Sequence, residues 1–131
     1  MLVDNIGYVR ISSFNKRTPE ELDEKLSELE QQGLAGLIID LRYNPGGLLD
    51  AAIDIASMFA SSGPVLFVEG RNGPRQELPV NQKHVIKEYP VICLVNNMSA
   101  SASEILSGFF KDRQLGLVIG QQTSMVVEHF L

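Results

Sequence analysis

The stretch LIIDLRYNPGGLLDAAIDIASMFA, residues 37–60, decides the fold. Leu37 to Leu41 is a short, mostly apolar run of the kind found in strands buried on both faces. Asn44-Pro45-Gly46-Gly47 is a strong turn signal. Leu48 to Ala60 is nearly apolar all round, and Asp50, Asp54, Ser57 and the following Ser61 recur at helical spacing on one narrow face. The spacing predicts a buried strand, a tight turn and a mostly buried helix.

Upstream, Ile6 to Phe14 alternates and is rich enough in β-branched residues to predict a strand. Thr18-Pro19-Glu20-Glu21 has the form of a helix start, with Thr18 as N-cap and Glu21 completing a capping box. Leu22, Leu26 and Leu29 then form one apolar stripe on a charged helix that Gly33 ends. The acidic cluster from Glu20 to Glu30 is the solvated face of that helix. Downstream, Val65 to Val68 predicts a strand. Residues 70–82, with Gly70, Gly73, Pro74 and Pro79, are expected to form an exposed loop. Val91 to Val95 is a second buried strand in which Cys93 is a small core residue. Ala102, Ile105, Leu106, Phe109 and Phe110 define a helix, and Leu117 to Ile119 a last short strand closed by Gly120. Alternation of this kind implies an α/β fold with a mainly parallel sheet flanked by helices.

At 131 residues the chain has room for a single domain, residues 1–131. Its 44% hydrophobic and 21% charged residues are the balance of a globular protein rather than a disordered one. No apolar run approaches the roughly 18–20 residues of a membrane helix. The opening MLVDNIGYVR lacks the basic-then-apolar order of a signal peptide. Sixteen acidic against eleven basic residues give a net charge of −5, which disfavours nucleic acid as a partner. One cysteine and two distant histidines exclude an internal disulfide and disfavour a metal site, so no cofactor is expected.

Ligands of α/β sheets bind beyond the carboxyl ends of the strands, and two features fall there. The first is the Asn44–Gly47 turn, where glycine lets the backbone approach a ligand closely; its plain reading is a tight turn. The second is Ser99-Ala100-Ser101-Ala102-Ser103-Glu104 ahead of a helix. A serine there is a candidate nucleophile, with the helix dipole favouring an oxyanion. Equally, Ser101 and Glu104 have the spacing of a capping box. Asp50 and Asp54 are read as the exposed edge of the buried helix. Arg42 is expected to pair with an acid rather than to bind a peptide carboxylate.

Four stretches in order, IGYVRISSFN, GLIIDLRYNPGGLLDAAIDIASMF, PVICLVNNMSASASEILSGFFKD and GLVIGQQT, resemble the catalytic core of the carboxyl-terminal processing peptidases, or tail-specific proteases. The resemblance implies a crotonase-like α/β core of a serine–lysine endopeptidase acting on polypeptides with an exposed C-terminal tail. In that family a PDZ domain commonly gathers the tail, and such a domain and the closing strands are not expected within residues 1–131. By position, Ser101 would be the nucleophile, and the N–H groups of Gly46 or Gly47 and of Ala102 the oxyanion hole. The family is commonly exported or envelope-associated, an oligomer is allowed, and the chain itself gives no address.

The family's general-base lysine, in a T-[FY]-G-K-G run, falls on Val126, flanked by Met125 and Val127. The glutamine the family often places four residues later falls on Phe130. Similarity is strong through Thr123, and the tail from Ser124 is expected to reflect truncation, a frame change or dissection rather than drift. Lys111 lies ten residues beyond Ser101, about 15 Å along a straight helix, too far to serve. Lys83 and His84 are expected to be solvated, and nothing positions His129. The expectation is a serine endopeptidase core impaired by the loss of its base, or a non-catalytic peptide-binding relic of the same fold. An acyl-coenzyme A site on the same glycine turn is disfavoured by the serine run and by the lack of an acid suited to acyl chemistry.

Overall fold

The structure is a computed structural model and describes residues 3–69, 75–81 and 86–120. Four parallel strands form the main sheet in the order β1-β2-β5-β6: β1 is Ile6–Arg10, β2 Gly36–Asp40, β5 Val91–Val95 and β6 Gly116–Gly120. The helices are α1 (Thr18–Gln31), α2 (Leu49–Ala56) and α3 (Ala102–Asp112). The remaining strands, β3 (Pro64–Glu69) and β4 (Arg75–Pro79), pair antiparallel in a separate hairpin. The expected α/β class and mainly parallel sheet are those observed.

One face of the sheet carries the core. Val9, Ile11, Leu37, Ile39, Leu41, Val91, Cys93 and Val95 are buried there with Leu22, Leu26 and Leu29 of α1, Ile55 of α2 and Leu106, Phe109 and Phe110 of α3. Strand alternation sends the neighbouring residues to the other face. On that face Tyr8, Leu117 and Ile119 are exposed. Phe110 meets Phe59 and Phe109 edge to face, with centroids 5.0 and 5.6 Å apart, an arrangement the ring quadrupoles favour. Cys93 lies in this core, and burial pushes its thiol up to about 12. A thiol-specific disulfide reagent is therefore expected to leave Cys93 unmodified at pH 8 until denaturant unfolds the chain. Rapid labelling of the native protein would contradict its placement.

Four expectations need correction. The first strand ends at Arg10, not Phe14, and Phe14 instead makes an isolated parallel bridge with Gly47. The helix after the glycine turn ends at Ala56, not Ala60. The Ser57 hydroxyl donates to the Ile53 carbonyl at 2.6 Å and accepts the Asn81 N–H at 2.9 Å, and Met58 and Phe59 continue into the core as a turn. Residues 75–79 of the expected loop are strand β4; Pro79 is accommodated because it sits at the hairpin's end. Thr18 does not cap α1, whose N-cap is Arg17. Its hydroxyl instead donates to Ser13 O and accepts the Asn15 N–H, closing the turn that leads from β1 into the helix.

Candidate active site

Strands β2 and β5 are parallel neighbours, so the segments that follow them emerge side by side at the same end of the sheet. These are the Asn44–Gly47 turn and the Asn96–Ser101 loop. The end of β2 is fastened by an ion pair. Arg42 reaches back over Asp40 with Nε–Oδ1 at 3.0 Å and Nη2–Oδ2 at 2.9 Å, and the Tyr8 hydroxyl donates to the same carboxylate. Arg42 thus pairs with an acid, as expected. Its guanidinium holds the Asp40 carboxyl down to about 2, against the upward push of burial. A carboxyl depressed on folding stabilises the fold above its unfolded value of 3.8, and that contribution is lost as pH falls toward 2. Arg42→Ala is expected to lower neutral-pH stability and flatten its dependence on pH between 5 and about 2. An unchanged acid-unfolding profile by circular dichroism would show that the pair contributes nothing.

The three serines of the Ser99–Glu104 run have different fates. Ser99 is fully buried, donating to the Leu41 carbonyl at 2.7 Å and accepting the Asn96 N–H at 3.1 Å. Ser103 is fully buried and donates to the Asn44 carbonyl at 3.0 Å. Ser101 alone of the three is exposed. Its backbone has φ 55° and ψ −117°, a conformation that L residues adopt at a cost of about 1–3 kcal/mol. Glu104 accepts the Ser101 N–H at 3.1 Å, and the reciprocal approach of the Ser101 side chain completes the capping pattern without a well-formed hydrogen bond. The capping reading and the candidate-nucleophile reading therefore coexist at Ser101.

The glycine turn lies directly against this loop. A Cβ on Gly46 would stand 2.8 Å from the Ser101 Cβ and 3.1 Å from the Ala102 nitrogen. Gly46 has φ +106° and is buried, whereas Gly47 has φ +137° and is exposed. The Gly46 N–H donates to Asn44 Oδ1 at 2.8 Å. The Gly47 N–H and the Ala102 N–H, at the first residue of α3, have no acceptor among the described residues.

Asn44 was not anticipated as more than a turn former, yet it is the hub. Fully buried, it donates through Nδ2 to the Ile11 carbonyl at 2.7 Å and accepts Gly46 through Oδ1. Its own carbonyl accepts the Ala100 N–H and the Ser103 hydroxyl, both at 3.0 Å. One residue thereby ties the end of β1, the glycine turn and the serine loop together. Asn96 does the same on a smaller scale, accepting Tyr43 N–H at 3.0 Å and Met98 N–H at 3.1 Å. An asparagine at a strand end was visible in each case, but its partners lie far away in sequence.

Lys111 sits in the last turn of α3, at the opposite end from Ser101. Val126, Lys83, His84 and His129 lie outside the described residues. Asp50 is exposed and Asp54 bonds Asn81, so this pair is not part of the site. Among the described residues no group of three or more His, Cys, Asp or Glu is arranged to hold a metal ion. No helix among them is long and apolar enough to cross a membrane.

Fold and strand-end loops together define an α/β domain whose glycine turn and serine loop meet at one end of a parallel sheet. The chain belongs to peptidase family S41, whose family model matches residues 5–128. That match runs past Thr123, where similarity was expected to stop, and covers the position of Val126. Over 119 residues the chain is 39% identical to a carboxyl-terminal-processing protease of Synechocystis sp., covering 91% of this chain and 28% of that protein. It is 36% identical to a chloroplastic C-terminal processing peptidase of Tetradesmus obliquus, covering 90% and 25% respectively. Among solved structures, a photosystem II D1 C-terminal processing protease superposes with a TM-score of 0.83 at 36% identity, over 90% of this chain and 31% of that one. The chain therefore spans between a quarter and a third of the length of these relatives.

Proposed function

We propose that the chain is the nucleophile-bearing core of a serine endopeptidase of the C-terminal-processing type, impaired in acyl transfer. Ser101 is the attacking hydroxyl, and the exposure and strained backbone of this one serine carry the reading. The scissile carbonyl of an extended peptide sits above Ser101, and its developing oxyanion is received by the N–H groups of Gly47 and Ala102. Each such donor contributes on the order of 3 kcal/mol to lowering the barrier. The substrate class is polypeptide with an exposed C-terminal tail, by analogy with what the relatives' names describe.

Attack by Ser101 requires that its proton go to a base and later to the leaving amine. Val126 occupies the position the family gives to lysine, and without that base the rate falls by about 10²–10⁴. The specific observation of Val126 also favours the second reading, a peptide-binding relic with the same core. An unstructured peptide ending in apolar residues is expected to show turnover at the level of the Ser101→Ala variant. Turnover well above background that vanishes in Ser101→Ala would overturn the impairment and show that a base reaches the hydroxyl. A peptide aldehyde that fails to protect the Gly47 and Ala102 amides from exchange would count against the oxyanion assignment.

A further inference from the structure

Among the described residues strand β1 is an edge of the main sheet, paired only with β2. On its β2 side Asn5 O accepts the Ala35 N–H at 2.8 Å and Ile11 N–H donates to Asp40 O at 3.1 Å. Backbone groups alternate sides along a strand, so the odd-numbered residues face β2 and the N–H and C=O groups of Tyr8 and Arg10 face outward. Neither residue's backbone has a partner there among the described residues. Beside this edge runs a groove of 580 Å³ between β1 and α1. It is lined by Val9, Ile11, Leu22 and Leu29 and by the charged Arg10, Glu21, Lys25 and Glu28. Of these, Lys25 pairs with Glu28 at 3.7 Å and leaves Arg10 as the cation available to an added strand.

We propose that the β1 edge and the β1–α1 groove dock an extended polypeptide segment, which adds to the sheet as a fifth strand, carries apolar residues at alternate positions and bears an acidic residue beside Arg10. Three features select this occupant. The outward N–H and C=O groups of Tyr8 and Arg10 are spaced for main-chain pairing, which an extended peptide supplies. The helix wall leaves room on one side of such a strand for every second side chain. Arg10 is exposed and has no ion-pair partner among the described residues, so an acid on the added strand complements it. The groove also continues through Ser12 and Ser13 toward Phe14, whose backbone is bonded to Gly46 and Leu48. A segment seated here lies on the same edge that leads to the glycine turn, yet binding needs no nucleophile.

The test uses the full chain and a fluorescein-labelled octapeptide alternating valine and threonine, with one aspartate. Saturable binding by fluorescence anisotropy is expected. Hydrogen exchange of the Tyr8 and Arg10 amides should slow on saturation. N-methylation of the peptide at alternate residues should weaken binding about fivefold or more in one register and leave the other register unaffected. Arg10→Pro, which removes one outward N–H at an edge position that tolerates proline, should weaken it similarly. The proposal is overturned by absence of binding at millimolar peptide. It is equally overturned by binding with no N-methyl periodicity, or by protection of Tyr8 and Arg10 that rises with protein concentration alone and so assigns the edge to a second copy.

Discussion

Gly47→Ala is expected to destabilise the domain by about 3 kcal/mol or more, a large part of the 5–15 kcal/mol that holds a typical domain together. A Cβ there would stand 2.0 Å from the Phe14 carbonyl oxygen and 2.8 Å from its carbon. These are backbone atoms, fixed because Phe14 N–H donates to Gly46 O and Leu48 N–H to Phe14 O, both at 2.8 Å. The φ of +137° adds strain for any L side chain. Gly108 supplies the contrast. It lies inside α3, and a Cβ there would meet nothing within 4 Å. Gly108→Ala is therefore expected to stabilise by about 0.5–1 kcal/mol, through helix propensity and the reduced freedom of the unfolded chain. Urea unfolding of the two variants should show shifts of opposite sign; a Gly47→Ala midpoint equal to wild type would refute the close approach.

The second large effect is expected at Asn44. Asn44→Ala strands the Ile11 carbonyl and the Gly46 N–H in the interior, at about 1–3 kcal/mol each. Asn44→Asp keeps an acceptor for Gly46 but turns a carboxylate toward the Ile11 carbonyl, which favours the protonated acid. The folded-state pKa of the new carboxyl is thereby raised. The variant's stability deficit should be smallest below the unfolded aspartate value near 4 and grow as pH rises through the folded value. Equal deficits for the two variants at every pH would mean that the amide donor to Ile11 is dispensable.

Strands β2 and β5 and helix α3 were legible because each is an uninterrupted apolar pattern whose boundaries carry glycine, proline or asparagine. Strand β4 was not. Two prolines and two glycines across residues 70–82 conceal a ladder that needs only residues 75–79, with Pro79 at its margin. The helix after the glycine turn looked longer than it is because Met58 and Phe59 continue the apolar pattern while Ser57 ends the helix locally. At the site, the pairing of turn and serine run followed from strand-end placement. Which serine is exposed and which glycine keeps its N–H did not. Both depend on the Asn44 hub, whose partners Ile11 and Ser103 stand 33 and 59 positions away. Hydrogen bonds of that span leave no periodic trace in a sequence.

Parallel pairing of β2 with β5 places Leu37 opposite Val91, far apart along the chain. Contacts of that separation incur the entropy of closing a long loop before any pairing compensates, so they form late. The glycine turn belongs to the early half of the chain and Ser101 to the late half. During synthesis the turn leaves the ribosome first, with no hydroxyl to serve. Even a released chain has no candidate nucleophile beside its amide donors until the central ladder closes. The meeting of the glycine turn with the Ser101 loop is thus tied to completion of the sheet, and a partly folded molecule does not yet hold the two together.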